Sequence, residues 1–180
     1  MVYVFLADGF EEMEAIAPID LLRRAGKEVV TVGVTGKTVM GAHGIPVTAD
    51  INENELTSFE GTEMIVLPGG MPGTLNEEKS AVVQAAIAYC TENNIPMGAI
   101  CAAPSILGHR GVLNGKKAVC YPGFEKELPG AEVSMDGVVT DGSITTARGA
   151  GVAADFGLEL IRVLCGEELS LKIRAAIISD

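Results

Sequence analysis

One cysteine of this sequence lies where a nucleophile could be held. Cys101 ends the short apolar run Met97–Ile100 and is followed by small residues, beginning with Ala102, that open a helical pattern. A strand that turns sharply into a helix at a reactive side chain is typical of a nucleophile elbow, which raises that side chain above the carboxyl end of a sheet. The positive end of the helix is expected to favour the thiolate. The alternative is a buried structural cysteine, which is the commoner role of this residue type.

A cysteine nucleophile also needs a proton carrier and hydrogen-bond donors for a developing oxyanion. Glu14 is the candidate proton carrier, because it lies one turn into the first predicted helix and could point back across the strand ends. Gly69 and Gly70 follow another apolar run, and glycines let backbone N–H groups approach a substrate closely. The N–H of Ala102 adjoins the thiol and is the other natural donor.

The remaining polar residues near these positions favour simpler roles. Acidic residues in a first helical turn are commonly solvated and complement the helix dipole, which is what we expect of Glu11 and Glu12. His109 lies two helical turns beyond Cys101, too far along the helix axis to contact the thiol, so a Cys–His triad is not favoured. His43 belongs to a glycine-rich segment and is expected to be a surface histidine.

Neither a metal nor a bound cofactor is expected from the motifs present. The two histidines are isolated and the four cysteines are scattered, without the spacing of metal ligands. The glycine-rich segments also lack the Lys-Ser/Thr ending of a phosphate-binding loop.

Composition and charge limit the class of protein further. A chain of 180 residues, of which 48% are hydrophobic, predicts one globular domain over residues 1–180. The net charge of −11 disfavours nucleic acid and anionic membrane surfaces as partners. No apolar run reaches the length of a membrane span, and the first residues lack the basic leader of a signal peptide. Cysteines without paired spacing predict reduced thiols and a cytoplasmic location.

Apolar strands alternate with helical segments through the first two-thirds of the chain. Strands that are apolar on both faces are typical of a parallel sheet covered by helices on both sides. In such sheets functional residues collect beyond the carboxyl ends of the strands, where Glu14, Gly69 and Cys101 are all expected. The sequence predicts strands at Val2–Leu6, Glu28–Val34, Met64–Leu67, Met97–Ile100, Lys117–Tyr121 and within Val133–Thr146, and helices at Glu12–Ala25, Ser80–Asn93, Gly151–Leu164 and Ser170–Ile178, with a further helix from the cysteine to about His109.

Three kinds of local feature in this predicted order of strands and helices are less regular. Residues 33–46 hold four glycines and no helical period, which predicts a hairpin or an irregular excursion. Two further hairpin turns are predicted at Asp136-Gly137 and Asp141-Gly142. Pro18 falls inside the first helix, which predicts a late start or a bend.

Several motifs together resemble the ThiJ/PfpI superfamily, in the branch of the DJ-one-like proteins and their bacterial relatives. They occur in the order of that family and extend over nearly the whole chain. The matching stretches are Asp8–Glu14, Leu21–Gly26, Val66–Gly70, Ala99–Pro104 and Thr146–Gly149.

The resemblance implies a flavodoxin-like three-layer sandwich with a nucleophile elbow at Cys101, usually as a homodimer. It also implies that Cys101 is the reactive, oxidisable cysteine and that Glu14 is its hydrogen-bonded acid. Gly69, Gly70 and Ala102 fall at the backbone donors of the family.

Two further positions take their expected roles from the same resemblance. Arg148 falls at a family arginine near the site, with a surface or dimer salt bridge as the alternative. Tyr121 stands where many members have a histidine, and a phenol is a poor base at neutral pH. This departure argues against protease-like and amidotransferase-like chemistry.

The activities that the resemblance implies use this one thiol and this one acid. A cofactor-free glyoxalase would convert methylglyoxal to lactate, and a deglycase would release glyoxal-derived adducts from amino groups. The rival prediction is a redox sensor or chaperone in which Cys101 is oxidised to the sulfinic acid. A relative of the fold without turnover is the third reading, and nothing in the sequence favours a thiazole-biosynthesis role.

Overall fold

A seven-stranded sheet forms the centre of the computed structural model, which describes residues 1–179. Within those residues the strands are β1 (Val2–Leu6), β2 (Val29–Gly33), β3 (Thr38–Met40), β4 (Pro46–Thr48), β5 (Ile51–Asn52), β6 (Met64–Leu67), β7 (Met97–Ile100), β8 (Lys117–Ala118), β9 (Glu132–Val133), β10 (Val138–Asp141) and β11 (Ile144–Ala147). The central sheet has the order β10-β11-β7-β6-β1-β2-β5, and every neighbouring pair is parallel except β10 with β11. The hairpin β3–β4 and the parallel pair β8–β9 lie outside this sheet.

Helices cover both faces of the central sheet. In residues 1–179 they are α1 (Glu12–Arg24), α2 (Gly73–Lys79), α3 (Ala81–Glu92), α4 (Pro104–His109), α5 (Ala153–Cys165) and α6 (Glu167–Ala176). None of these helices combines the length and the apolar character needed to cross a membrane.

Successive side chains of β1 pack alternately into two hydrophobic clusters, one on each face of the sheet. Val2, Val4 and Leu6 pack in a cluster with side chains of α1, α5 and α6, whereas Tyr3 and Phe5 pack in a second cluster with α3 and α4. All five side chains are buried, as expected of a strand covered on both faces. The predicted three-layer α/β sandwich with a mostly parallel sheet is therefore confirmed.

Close packing over β7 holds the cysteine strand in place. A Cβ atom at Gly98 would lie 2.9 Å from Leu160 and 3.0 Å from the ring of Phe156. A larger residue here would force the Leu160 and Phe156 side chains to shift, so glycine favours the close packing of α5 on β7, the strand that ends at Cys101.

Several local predictions are corrected by the structure. The turn at Gly142 does join an antiparallel hairpin, but Asp136-Gly137 does not, because β9 pairs in parallel with β8. The strand predicted at Lys117–Tyr121 is only two residues long. The first helix begins at Glu12 and continues through Pro18. The predicted hairpin in the glycine-rich segment is present as β3–β4.

Candidate active site

The turn after β7 puts Cys101 in a conformation that side chains rarely adopt. Its φ is +65°, in the left-handed region, where a residue with a Cβ is strained. Both peptide groups of the residue are tied to the fold: its N–H donates to Ala147 O at 2.9 Å, and its carbonyl accepts from Tyr121 N–H at 2.7 Å. Cys101 is partly exposed, so this strained backbone presents the thiol to a ligand. The predicted nucleophile elbow is therefore present.

The first turn of α1 positions Glu14 beside this thiol. Glu11 precedes the helix and caps it, since its carboxylate accepts from Glu14 N–H at 2.8 Å. The Glu11 N–H in turn donates to Gly69 O at 2.9 Å, which ties the start of α1 to the end of β6. Glu14 is buried, and one of its carboxylate oxygens accepts from Gly69 N–H at 2.9 Å.

Gly69 separates the acid from the cysteine. A Cβ at this position would lie 2.5 Å from Glu14 Oε2 and 2.6 Å from Cys101 Cβ. A side chain here would push the two reactive groups apart. The structure thus brings Cys101, Glu14 and Gly69 together at the carboxyl ends of β7 and β6 and the start of α1.

The two acids of this site hold their protons more tightly than usual. Burial raises the pKa of the Glu14 carboxyl to about 7, against hydrogen bonds from Cys101 and Gly69 that lower it, and the negative charge of Glu11 raises it further. Burial, followed by the charge of Glu14 and the hydrogen bond to it, raises the pKa of the Cys101 thiol to about 12. Near neutral pH the thiol therefore keeps its proton, whereas the Glu14 carboxyl is divided between its protonated and its ionised form.

This result corrects the expectation that the following helix favours the thiolate. The helix α4 begins only at Pro104, three residues beyond the cysteine, and is six residues long. The N–H groups of Ala102 and Gly70 do lower the thiol pKa, but burial and Glu14 outweigh them. An attack by this sulfur would therefore need a proton acceptor, and the Glu14 carboxyl lies beside the thiol.

The backbone donors divide into two groups. The Gly69 N–H is bound to Glu14, so it orients the acid and is not free for an oxyanion. The N–H groups of Gly70 and Ala102 instead face the sulfur of Cys101. Gly70 has φ +96°, and a Cβ there would lie 2.4 Å from Glu11 N, so this donor position requires glycine.

The other carboxylate oxygen of Glu14, Oε1, lies near residues 149–150, which no sequence motif had linked to this acid. Glu14 Oε1 is buried without a hydrogen bond of ordinary geometry among the described residues, although the thiol of Cys101 and the N–H of Ala150 lie near the carboxyl. A Cβ at Gly149 would lie 3.9 Å from this oxygen and 3.5 Å from the ring of Tyr121. Oε1 is thus placed to take a proton.

Tyr121 and Arg148 lie at one side of the pair. The Tyr121 side chain is exposed, and the Arg148 guanidinium donates to Met135 O at 3.1 Å. Both line a cavity that also includes residues 149–152. Neither side chain forms a hydrogen bond with Cys101 in residues 1–179.

The acidic first turn differs from the solvated cluster that we expected. Glu12 is buried, and its carboxylate accepts from His43 N–H and faces His43 Nδ1, both at 2.8 Å. Burial opposes ionisation, but the hydrogen bonds from His43 lower the Glu12 pKa overall. Glu12 therefore anchors the β3–β4 turn to α1. The imidazole of His43 itself is exposed, as predicted.

Glu11, Glu12 and His43 also form the group of side chains in residues 1–179 that comes nearest to a metal site. Ligand atoms of Glu11, Glu12 and His43 lie within 4.8 Å of one another. Their hydrogen bonds to Glu14 N–H and to the β3–β4 turn already explain the arrangement. We assign no ion to the cluster.

A second buried acid escaped prediction from the sequence. Glu77 of α2 is fully buried, and neither of its carboxylate oxygens has a hydrogen-bond partner in the described residues. Burial and the charge of Glu14 raise its pKa well above the ordinary value, so it remains protonated. The polar sequence around it, Glu77-Glu78-Lys79, is typical of a solvated surface and gives no signal of this burial.

Comparisons with known proteins agree on one family. The family model described as "DJ-1/PfpI family" matches residues 1–163. The chain is 34% identical over 168 residues to "Protein dj-1beta" of Drosophila melanogaster, covering 92% of this chain and 89% of that protein. It is 34% identical over 179 residues to "Protein DJ-1 homolog B" of Arabidopsis thaliana, covering 97% of this chain but only 40% of that protein.

The fold is also similar to solved structures. The structure titled "Toxoplasma gondii DJ-1, oxidized" superposes with a TM-score of 0.94 at 36% sequence identity, covering 98% of this chain and 97% of that chain.

Proposed function

Because the chain belongs to the DJ-1/PfpI family, we propose that it is a cofactor-free cysteine enzyme that acts on reactive aldehydes. The observation that carries this proposal is the placement of the buried Glu14 carboxyl against the partly exposed Cys101 thiol, with a pKa of about 7 on the acid. A carboxyl group with that pKa can both accept and return a proton near neutral pH.

The first step joins the sulfur to the aldehyde carbon. The Cys101 thiol gives its proton to Glu14 as the sulfur attacks methylglyoxal, which forms a hemithioacetal. The oxygen of the former aldehyde takes up negative charge, and the N–H groups of Gly70 and Ala102, which face the sulfur, are placed to stabilise it. This oxygen then takes the proton back from Glu14, which leaves the Glu14 carboxylate free to act as a base in the next step.

The second step moves hydrogen between neighbouring carbons. Glu14 removes the proton from the carbon that carries the sulfur and returns a proton to the adjacent ketone carbon, through an enediol. The aldehyde carbon is thereby oxidised to a thioester while the ketone is reduced to an alcohol, so no external electron acceptor is needed. Water then hydrolyses the thioester, which releases lactate and restores the thiol.

A deglycase reaction would begin with the same two groups. A hemiaminal formed between glyoxal or methylglyoxal and an amine carries a carbon at the aldehyde oxidation level. Attack by Cys101 would expel the amine, and the resulting hemithioacetal would follow the same path to a hydroxy acid. Free aldehydes and aldehyde adducts are thus two substrates of one mechanism.

Product formation by three variants tests the proposal. We expect wild-type protein to convert methylglyoxal to lactate, and Cys101→Ser and Glu14→Gln to reduce kcat/KM by at least about a hundredfold, because each removes a group that reacts directly. Cys165→Ser is the matched control, since it removes another partly exposed thiol at the end of α5 and should leave turnover unchanged. Lactate formation by Cys101→Ser at the wild-type rate would exclude the mechanism.

Oxidation sensing is the second candidate function, favoured by the exposure of the thiol and by its backbone donors. Two equivalents of peroxide would convert Cys101 to the sulfinic acid with release of two waters, and Gly70 and Ala102 N–H groups would hold its oxygens. Peroxide treatment followed by intact mass measurement should show a gain of two oxygens, and mass analysis of a digest should place both oxygens on the peptide of Cys101. Uniform oxidation of all four cysteines would count against a sensor.

An apolar depression on the surface supports a homodimer. Met13, Ile16 and Ile45 are 59%, 43% and 56% exposed and line a cavity of about 460 Å³ with Val47. An exposed apolar patch of this kind is typical of an interaction site. We propose that a second copy of the chain covers it and that the protein, with its four free cysteines, acts in the cytoplasm.

A further inference from the structure

A cavity next to the reactive pair is larger than a small aldehyde requires. It measures about 350 Å³ and is lined by Tyr121, Pro122 and residues 148–152. A three-carbon aldehyde has the size of three or four water molecules, about 100 Å³ in all at roughly 30 Å³ each. Most of the cavity would therefore remain for another part of a substrate.

The cavity adjoins the Cys101 and Glu14 site at Gly149. A Cβ at Gly149 would lie 3.5 Å from the Tyr121 ring and 3.9 Å from Glu14 Oε1, so this glycine forms the boundary between the cavity and the acid. The Tyr121 backbone is itself bound to the carbonyl of Cys101. A molecule whose reactive carbon lies at Cys101 would have to pass Gly149 to enter the cavity.

One cation lines this otherwise mostly apolar cavity. The Arg148 guanidinium donates one hydrogen bond, to Met135 O, and no carboxylate of residues 1–179 forms an ion pair with it. The charge of Arg148 contributes to lowering the pKa of Glu125, but the Glu125 carboxylate accepts its hydrogen bond from Gly123 N–H at 2.9 Å and not from the guanidinium. A guanidinium with free N–H groups binds carboxylates with good geometry.

From these contacts we propose that the cavity binds the carboxylate-bearing tail of an α-oxoaldehyde, with Arg148 as the residue that selects the negative charge. The inference rests on the proposed function, because the reactive end of the molecule is the one that Cys101 attacks. It adds a substrate class, 2-oxoaldehydes that carry a carboxylate on a short chain, to the small neutral aldehydes.

A pair of probes that differ only in charge tests this class. The first is 4,5-dioxopentanoate, which carries the oxoaldehyde and a carboxylate and would yield 2-hydroxyglutarate. The second is its methyl ester, which has the same chain without the charge. We expect wild-type kcat/KM to be about tenfold higher for the acid, because a charge-assisted hydrogen bond is worth about 1.5 kcal/mol.

The variant Arg148→Gln should reduce this ratio to about one. The ratio, and not the rate, is the readout, so a general loss of activity does not affect the conclusion. Arg110→Gln is the matched control, since it removes the same charge from an arginine that instead donates to Gln84, and it should keep the tenfold preference. Equal kcat/KM for the two probes in wild-type protein, or a preference that survives in Arg148→Gln, would overturn the proposal.

A binding measurement distinguishes a failure of this inference from a failure of the proposed aldehyde chemistry. If neither probe is turned over, the aldehyde chemistry fails, and the cavity is then tested by calorimetry with 2-hydroxyglutarate and its 5-methyl ester. Tighter binding of the diacid to wild-type protein, lost in Arg148→Gln, would support the subsite without catalysis. Equal binding of the two compounds would refute it.

Discussion

At the scale of residues, the chemistry depends on how two acids share their protons. The Glu14 carboxyl has its pKa raised to about 7 by burial, and the Cys101 thiol keeps its proton while that carboxylate is charged. Glu14 must therefore be ionised before it can accept the proton of the attacking thiol. The activity of the protein should rise with pH through about 7 and then reach a plateau.

Glu11 offers a way to move this pH dependence without touching a reacting group. Its negative charge raises the Glu14 pKa, so Glu11→Gln should lower it and shift the midpoint of the pH profile of kcat/KM to lower pH. The glutamine keeps an oxygen that can accept from Glu14 N–H and cap α1. The measurement is kcat/KM for methylglyoxal across the pH range.

Glu92→Gln serves as the control for this shift. It removes an equal charge from an exposed position on α3 and should leave the midpoint in place. A midpoint that moves upward in Glu11→Gln, or equally in both variants, would contradict the proposed role of Glu14.

The two residues that we propose to react could be found in the sequence, whereas the contacts that set their pKa values could not. Cys101 and Glu14 follow from a strand-to-helix junction and from the first turn of a helix. The N–H of Gly69 turns toward Glu14 only because β6 lies between β1 and β7 in the folded sheet. The high thiol pKa likewise results from burial, which no local pattern encodes.

At the scale of elements, α2 contains an acid that is costly to bury. Glu77 is enclosed without a hydrogen-bond partner among the described residues, and its pKa lies well above the ordinary value. Below the ordinary carboxyl pKa both the folded and the unfolded chain hold this proton. Above it the unfolded chain ionises while the folded one does not, so the free energy of unfolding falls as pH rises toward the folded pKa.

Replacing this acid should therefore stabilise the protein. We expect Glu77→Leu to increase the free energy of unfolding at about pH 8 by about 2 kcal/mol, the cost of burying an unpaired polar group, and to weaken its decline with pH. Urea denaturation of wild type and variant at several pH values measures both effects. Glu77→Gln keeps the shape of the side chain and should also reduce the pH dependence.

An exposed acid provides the comparison for this prediction. Glu92→Leu should leave the pH dependence of unfolding unchanged. We expect the free energy of unfolding to fall more steeply with rising pH in the wild-type protein than in Glu77→Leu. Identical slopes in the two proteins would show that Glu77 ionises freely in the folded state.

The elements with a strong apolar pattern were predicted well, and α2 was not. The strands β1, β6 and β7 are apolar along their whole length, and the structure places them at or next to the predicted bounds. In contrast, α2 has the sequence GTLNEEK, which has no apolar period. Its position depends on tertiary contacts, such as that of Gly73, where a Cβ would lie 2.5 Å from Phe10 N.

At the scale of the whole molecule, the exposed apolar surface on α1 and the β3–β4 hairpin is where we propose that a second copy of the chain binds. The same two elements carry Glu12 and His43, whose hydrogen bonds fix the hairpin against the helix. The proposed dimer interface therefore lies on α1 and the β3–β4 hairpin, which these hydrogen bonds hold together, and the first turn of α1 also carries Glu14.

A single charge in this surface should separate the two copies. We expect wild-type protein to sediment as a dimer and Ile16→Glu to sediment as a monomer with an unchanged circular dichroism spectrum, because the carboxylate would be buried without a partner. Leu171→Glu, at an exposed apolar position on α6, is the control and should remain dimeric. A monomeric wild type, or a dimer that tolerates Ile16→Glu, would place the interface elsewhere.

The direct test of the reactive pair is to trap its covalent intermediate. Wild-type, Glu14→Gln and Cys101→Ser proteins are mixed with methylglyoxal, quenched rapidly and digested, and the peptide that contains residue 101 is weighed by mass spectrometry. If Cys101 attacks the aldehyde while Glu14 takes the proton of the thiol, an adduct of one methylglyoxal should form on Cys101 of the wild-type protein within a single turnover, should form much more slowly in Glu14→Gln, and should be absent from Cys101→Ser. Lactate formation by Glu14→Gln at the wild-type rate, without an adduct on Cys101, would contradict the proposed mechanism.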